Sequence, residues 1–217
     1  MNPVLRLVED VFSGGAEIAL AAEPRMIFVV HGRIQIAGTS FGDGEAWHGT
    51  DAVTIIANKD GATCWRFELS FSESADRATG RDVQSHPKLA APLDTLPEGD
   101  LLLRGDSVAF PPGGCAYLHR HQGPGLRCLL EGGIRIDTHG RSTSYGPGGA
   151  WFESGPDSVF AQAAADRQSR FIRVMILPQA LLGKSSIQYV NEEDKAKPKS
   201  QSYKIFADMP FVRPGRA

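Results

Sequence analysis

Residues 113–136 read GGCAYLHRHQGPGLRCLLEGGIRI and carry the clearest structural pattern in the chain. Short apolar runs are separated by Gly and Pro, which is typical of strands joined by tight turns. Within one run, His119 and His121 are two residues apart, and side chains two apart on a strand face the same side. The stretch therefore predicts β-strands with two imidazoles aimed at a common place.

The same pattern occurs a second time, nearer the N-terminus. VVHGRIQI at 29–36 matches LLEGGIRI at 129–136, and FGDGEAWHG from Phe41 matches YGPGGAWFESG from Tyr145. A duplicated unit fixes the architecture before any local detail does. We therefore predict two β-rich copies with polar segments between and after them: copy one at 14–72, a connector at 73–100, copy two at 101–178 and a polar tail at 179–217. The apolar stretch YKIFADMPFV within that tail is expected to lie on the protein's own barrel or on a neighbouring subunit.

Composition limits both the fold class and the partners. The 217 residues include 24 Gly and 14 Pro, and 41% are hydrophobic, which favours a turn-rich, all-β chain. Lys and Arg number 23 against 25 Asp and Glu, so no excess of positive charge favours nucleic acid or an anionic membrane as a partner. The N-terminal residues lack the pattern of a secretory signal, and the three cysteines show no CxxC spacing. We therefore expect a cytoplasmic protein.

His119 and His121 are the candidate metal ligands. Imidazole nitrogens bind divalent transition metals at about 2.1 Å, and two of them on one strand face can share an ion. For an isolated HxH the alternative is two histidines on a solvent-facing strand. The surrounding spacing favours the metal.

That spacing resembles the first motif of the cupin superfamily. Gly113, five residues, His119, one residue, His121, three residues, position 125, six residues and Gly132 follow the cupin order, and Gly148 follows after 15 more residues. The resemblance implies a bicupin, that is, two double-stranded β-helix (jelly-roll) barrels, often with a metal in one or both. It does not fix the function, because cupins include dioxygenases, isomerases, lyases, decarboxylases, storage proteins and binding modules.

Two of the four ligands that the resemblance implies are absent. Gly125 stands where a cupin has Glu, and Val159, or Phe160 by another count, stands where it has His. A third ligand would have to come from elsewhere. The candidates are Glu153 and Gln162, with Cys115 and His139 less favoured. In copy one the histidine positions align with Ala19 and Ala21, so that copy is expected to lack metal ligands.

Arg127 is the second candidate functional residue. Strand alternation places it inside the barrel, where a guanidinium needs an anion. Either an internal carboxylate such as Glu131 pairs with it, or it binds the carboxylate or phosphate of a substrate. Tyr117, Trp151 and Phe152 are candidates for lining the same pocket.

Two functional hypotheses follow. In the first, the chain is a metal-dependent enzyme using Fe, Mn, Ni, Cu or Zn on a small anionic substrate, with Arg127 as its anchor and Glu153 as ligand or general base; a dioxygenase, a lyase and an isomerase all remain open. In the second, it is a noncatalytic binding or sensing protein whose metal site has decayed. Barrels of this kind expose flat faces and sheet edges, so a homodimer is expected.

Overall fold

The computed structural model describes residues 2–71 and 79–213. The chain forms two compact units, one ending at Thr95 and the other running from Leu96 to Arg213. All strand pairs among these residues are antiparallel, which confirms the prediction of an all-β fold. Helical structure in this part of the chain is limited to a 3₁₀ turn at Gln179–Leu181 and the five-residue helix α1 (Glu192–Ala196), and no helix there has the length and apolar character needed to span a membrane.

The first unit contains a six-stranded sheet. Its strands are β1 (Val4–Leu20), β2 (Arg25–Ile36), β3 (Thr39–Gly42), β4 (Ala46–Gly49), β5 (Val53–Ser70) and β6 (Thr79–Pro92). The strand order is β3-β2-β5-β1-β6, and β4 also pairs with β2. The long strand β1 changes register against both of its neighbours between Phe12 and Glu17. Gly14 lies in this shift, where a Cβ would be 2.2 Å from the carbonyl oxygen of Lys59, so only glycine permits the close approach of the two strands.

The face of β1 that packs into the core of the first unit is apolar near its C-terminal end, and the alanine aligned with His119 is not on it. Ile18 and Leu20 are buried, whereas Ala19 is exposed and Ala21 is half-buried. Ile18 and Leu20 pack in a core with Ile34, Ile55 and other aliphatic side chains. This face therefore carries no metal-binding side chain.

The second unit consists of two five-stranded sheets. Its strands are β7 (Leu101–Phe110), β8 (Cys115–His121), β9 (Gly125–Glu131), β10 (Ile134–Thr138), β11 (Arg141–Tyr145), β12 (Ala150–Glu153), β13 (Val159–Ala163), β14 (Ser169–Pro178), β15 (Ile187–Tyr189) and β16 (Ser202–Phe211), and α1 is Glu192–Ala196. One sheet has the order β11-β10-β13-β8-β15, and the other β12-β9-β14-β7-β16. Apolar side chains of both sheets form one core, including Phe110, Leu129, Ile136 and Phe171. Period-two alternation is what allows each strand to bury one side there.

Three predicted boundaries were wrong. The first unit begins at Val4 rather than at 14, and the predicted connector 73–100 contains β6, which pairs with β1 along most of its length; residues 72–78 lie outside the described part. The predicted tail 179–217 supplies β15 and β16, and β16 pairs with β7 of the protein's own second unit. Both β6 and β16 are edge strands that contain proline, which only edge strands tolerate well, and this is why their sequences read as linkers.

Candidate functional site

The imidazoles of His119 and His121 converge inside the second unit. Their exposed fractions are only 5% and 4%, and their Nε2 atoms are 3.2 Å apart. The ring planes are nearly perpendicular, with centroids 4.8 Å apart. Both side chains therefore point from β8 to one place in the barrel, as strand alternation predicts.

Hydrogen bonds to the other ring nitrogens set the imidazole tautomers. Nδ1 of His119 lies 2.7 Å from the carbonyl oxygen of Tyr117, which can only accept, so Nδ1 carries the proton and Nε2 presents a lone pair. Nδ1 of His121 lies 3.3 Å from the hydroxyl of Ser186. A hydroxyl both donates and accepts, so Ser186 is able to support either tautomer of His121.

Both histidines are held neutral. Burial lowers the pKa of His119, with the Glu153 carboxylate partly opposing that effect. Burial lowers the pKa of His121 well below its usual value, and the positive charges of Arg173 and Arg127 lower it further. Neutral imidazoles are the form that binds metal ions.

Arg127 and Glu153 form an ion pair beside the two histidines. Nη2 of Arg127 is 2.8 Å from Oε2 of Glu153, and Nη1 donates to the backbone oxygen of Gly125 at 2.7 Å. The arginine is 1% exposed, and burial lowers its pKa to about 10, with Glu153 as the main opposing charge. The internal partner of Arg127 is thus Glu153; Glu131 instead pairs with Arg170 at the surface, 3.0 Å away.

The two carboxylate oxygens of Glu153 differ in their surroundings. Oε1 accepts a hydrogen bond from Nε1 of Trp151 at 2.9 Å. Oε2 is 3.6 Å from Nε2 of His121. Although Oε2 and Nη2 of Arg127 are close, their geometry is not that of a hydrogen bond, and both atoms are buried without a hydrogen-bond partner. A buried oxygen in this state, 3.6 Å from an imidazole nitrogen, fits a cation or a further donor.

Three atoms at this place are of the types that bind divalent ions. Nε2 of His119, Nε2 of His121 and Oε2 of Glu153 are the two-histidine, one-carboxylate set of many metal sites. Within residues 2–71 and 79–213, no group of three or more His, Cys, Asp or Glu side chains is already arranged to hold a metal. The imidazole pair is in place, whereas the carboxylate oxygen is in contact with Arg127.

Tyr117 and Gln162, both predicted at the site, lie elsewhere. A bulge in β8 changes its register against β13, so that Ala116 and His119 both face inward and Tyr117 faces out. Tyr117 instead lies beneath the ammonium groups of Lys197 and Lys199. Gln162 donates to the carbonyl oxygens of Gly113 and Gly114 and so closes a turn. The simple count of alternate residues failed because the bulge inserts one residue.

The less favoured candidates also lie away from the imidazole pair. Cys115 is next to Ser200, and His139 is exposed and pairs with Asp157 at 3.4 Å. Phe152 points outward with 36% of its surface exposed. Trp151, in contrast, is buried against Phe171 and lines the interior with Glu153. Of the predicted residues, those that meet are His119, His121, Arg127, Trp151 and Glu153.

Known structures share this architecture. A Bacillus subtilis oxalate decarboxylase, studied for its Mn(II) centres, superposes with a TM-score of 0.61 over 92% of this chain and 81% of its own, at 12% identity. A second structure of the same enzyme, determined at pH 4.6, gives 0.59 over 92% and 80%, at 13% identity. The fold is that of the cupins. A cupin 2 conserved barrel domain protein from Leptotrichia buccalis gives 0.49 at 15% identity over 81% and 84% of the two chains. No family model matches the sequence, and no curated protein does so.

The two positions at which this chain departs from the cupin motif that it resembles, 125 and 159, have close neighbours in the structure. A Cβ on Gly125 would lie 2.5 Å from the carbonyl oxygen of Val174 and 3.0 Å from Nη1 of Arg127. The arginine therefore takes the volume that a side chain at 125 would need. Val159 is buried in the apolar core and pairs with His119 across the ladder. Neither position has room for the missing ligand without rearrangement.

The sequence prediction missed a second buried ion pair. Arg173 on β14 donates through Nε and Nη2 to both oxygens of Asp106 on β7, at 2.9 and 2.6 Å. Arg173 lines the same interior as the histidines. The signal was present in the run FIRVMILP at 171–178, where Arg173 is the one charged residue among apolar neighbours. Ser186, Ile187 and Tyr203 were missed because they lie in the segment interpreted as a tail.

The space between these side chains is small. The interior cavity has a volume of about 20 Å³. That is enough for one water molecule, which needs roughly 10–15 Å³, or for a single ion. An organic acid would require the wall to move.

Proposed function

We propose that the chain is a metal-dependent cupin enzyme acting on a small organic anion, with the metal held by His119, His121 and Glu153. The observation that carries this proposal is the 3.2 Å approach of two neutral imidazole Nε2 atoms. Because Nε2 of His119 carries no proton, the two Nε2 atoms share one hydrogen bond if Nε2 of His121 is protonated, and both offer lone pairs to an ion if the His121 proton is on Nδ1. The carboxylate oxygen 3.6 Å from His121 supports it as the third donor.

Ser186 and the backbone of Tyr117 prepare the imidazoles. The bond to Tyr117 keeps the Nε2 lone pair of His119 directed inward. For His121 to present its own Nε2 lone pair, its proton has to reside on Nδ1 and be donated to the Ser186 hydroxyl. Partners of this kind orient ligands and raise their basicity.

Arg127 is the proposed anchor for the substrate anion. When Glu153 turns Oε2 toward the imidazoles, Nη2 of Arg127 loses its carboxylate partner and is free to receive one from a substrate. A divalent ion bound there would supply Lewis acidity, or a redox centre for O₂ chemistry if it is Fe or Mn. The residues present are compatible with a dioxygenase, a lyase or an isomerase, as the sequence also left open.

The substrate class follows from charge and size. Arg127 and the neutral histidines favour a small carboxylate, and oxalate, on which the structural neighbours act by name, is a rational first compound. The interior of about 20 Å³ sets a limit on size, since oxalate itself enters only if the wall opens.

Metal content tests the proposal. Protein purified without a His tag is analysed for Fe, Mn, Ni, Cu and Zn after growth in metal-supplemented medium. The expected result is close to one ion per chain in wild type, with loss in His119→Ala and in Glu153→Gln. The matched control is His139→Ala, which removes an exposed histidine and should leave the metal in place. Metal near background in the wild type would overturn the enzyme proposal.

One observation favours a second candidate, a noncatalytic small-molecule binding cupin. The Arg127–Glu153 pair places a fixed positive charge beside the histidines, where an ion would otherwise compensate the carboxylate. In this proposal the barrel binds an anion without metal. Binding of a carboxylate that is unchanged after chelation and dialysis would favour this candidate, and binding that requires added metal would favour the enzyme.

A further inference from the structure

A second, larger cavity lies outside the barrel interior, between the edge strands of the two sheets. Its volume is about 480 Å³, within the range of small-molecule sites. β15 contributes Ile187 and Tyr189, and β16 contributes Tyr203 and Ile205. In the described part of the chain, these two strands pair with β8 and β7 and not with each other. The cavity thus occupies an unpaired seam.

The charges around this cavity are unbalanced. Arg104 is fully engaged, since it pairs with Asp208 and donates to the carbonyl oxygens of Leu181 and Lys184. Asp106 is neutralised by Arg173. Lys184 and Lys199 also line the wall. Neither forms an ion pair with a carboxylate among the described residues, and the Lys199 ammonium donates to the backbone oxygen of Asp194. Neither ammonium group is therefore neutralised by a carboxylate, although Lys199 also lies over the Tyr117 and Tyr189 rings.

The rest of the wall combines four apolar and aromatic side chains with the polar Ser185 and Gln201. Tyr203 and Ile205 are 47% and 58% exposed, which is unusual for large apolar side chains facing one cavity. Lys199 lies over the Tyr189 ring at 4.1 Å, so a cation and an aromatic surface are side by side. This combination suits a ligand with a flat apolar body and one negative group.

We propose that the cavity between β15 and β16 is a binding site for a small aromatic carboxylate, whose anionic group is held by Lys184 and Lys199. The rings of Tyr189 and Tyr203 and the aliphatic side chains of Ile187 and Ile205 pack against its apolar body. This site does not depend on metal at the histidines. The binding-site proposal is therefore tested independently of the proposed function.

The cavity is separated from the histidines by two side chains. Ile187 and Tyr203 line both the outer cavity and the interior space. Ile187 is also the cross-strand partner of His121. A ligand in the outer cavity would therefore contact side chains that also line the space around the imidazole pair.

Calorimetry with benzoate, phenylacetate and cinnamate, each beside its neutral amide, tests the site in chelator-treated buffer. We expect saturable binding of at least one acid, about tenfold or more tighter than its amide. Lys184→Met combined with Lys199→Met should lower the affinity for that acid by about tenfold or more, while the affinity for the amide should change little. Lys199→Arg, which keeps the charge, should bind like wild type.

Lys204→Met is the matched control, because Lys204 lies on β16 over the Phe206 ring and not on the cavity wall. It should leave the affinity unchanged. Absence of saturable binding by all three acids, equal affinity for acid and amide, or an equal effect of Lys204→Met would overturn the proposal. Because no metal is present, none of these results bears on the metal proposal.

Discussion

Glu153 on β12 lies directly opposite Gly125 on β9 in the antiparallel ladder. The carboxylate that is absent from β9 is therefore present on the neighbouring strand, over the same part of the barrel interior. Arg127 connects the two strands, because its guanidinium donates to the backbone oxygen of Gly125 and contacts the Glu153 carboxylate. At position 125, where the resemblance to cupins implies a glutamate, the chain thus has a glycine that lies beside a cross-strand ion pair.

Replacing Gly125 should destabilise the second unit. In Gly125→Ala the new Cβ would approach the Val174 carbonyl oxygen to 2.5 Å and Arg127 Nη1 to 3.0 Å, so backbone and guanidinium both have to shift. We expect a loss of about 1–3 kcal/mol in the free energy of unfolding, measured by urea denaturation. Gly146→Ala is the control, since a Cβ there meets nothing within 4 Å. Equal effects of the two substitutions would contradict this account of the site.

Breaking the Arg127–Glu153 pair should cost more than breaking a surface pair. Arg127→Met leaves a buried carboxylate unpaired, which costs about 3–5 kcal/mol of stability. Adding Glu153→Gln should recover much of the lost stability, because the unpaired buried carboxylate is then replaced by a neutral amide. The corresponding cycle at Arg170 and Glu131, whose side chains are 37% and 48% exposed, should show a coupling below about 1 kcal/mol. If the losses of stability in Arg127→Met and Glu153→Gln simply add in the double mutant, the two charges do not interact.

The features that sequence predicted well are those set by local periodicity. The inward direction of His119 and His121 follows from alternation on one short strand. The division into two β-rich units follows from glycine and apolar positions that occur twice along the chain. Both features depend on residue patterns that can be read directly from short stretches of the sequence.

The features it missed depend on contacts between distant segments. The bulge that turns Tyr117 outward is visible only in the register of β8 against β13. Tyr203 approaches the histidines because β16 returns to pair with β7, which lies far earlier in the chain. Glu153 was proposed as a ligand from its position, but its contact with Arg127 required the register of β12 against β9.

Acidification should destabilise the protein through the buried histidines. Their pKa values are lowered in the folded state, so the unfolded chain binds more protons below its ordinary histidine pKa. Stability is therefore complete above about pH 6.5 and falls as the pH drops below it, by up to about 1.4 kcal/mol per pH unit for each group. Denaturation at pH 7.5 and 5.0 measures this. His121→Gln should reduce the difference, whereas His139→Gln, at an exposed position, should not.

Tyr203 and Ile187 should control access to the histidines. Both side chains lie between the outer cavity and the interior, and Tyr203 also covers Arg173, with 5.9 Å from its ring centroid to the guanidinium carbon. Acylation by diethyl pyrocarbonate, followed by mass spectrometry, reports how often each imidazole meets reagent, and exposed His139 serves as the internal standard. We expect His119 and His121 to react several-fold faster in Tyr203→Ala than in wild type, with Tyr203→Phe unchanged because the ring is retained. If the acylation rates of His119 and His121 do not differ between wild type and Tyr203→Ala, the reagent reaches them by another route. If the rate at His139 rises as well, the substitution has loosened the whole unit rather than opened the path beside Tyr203.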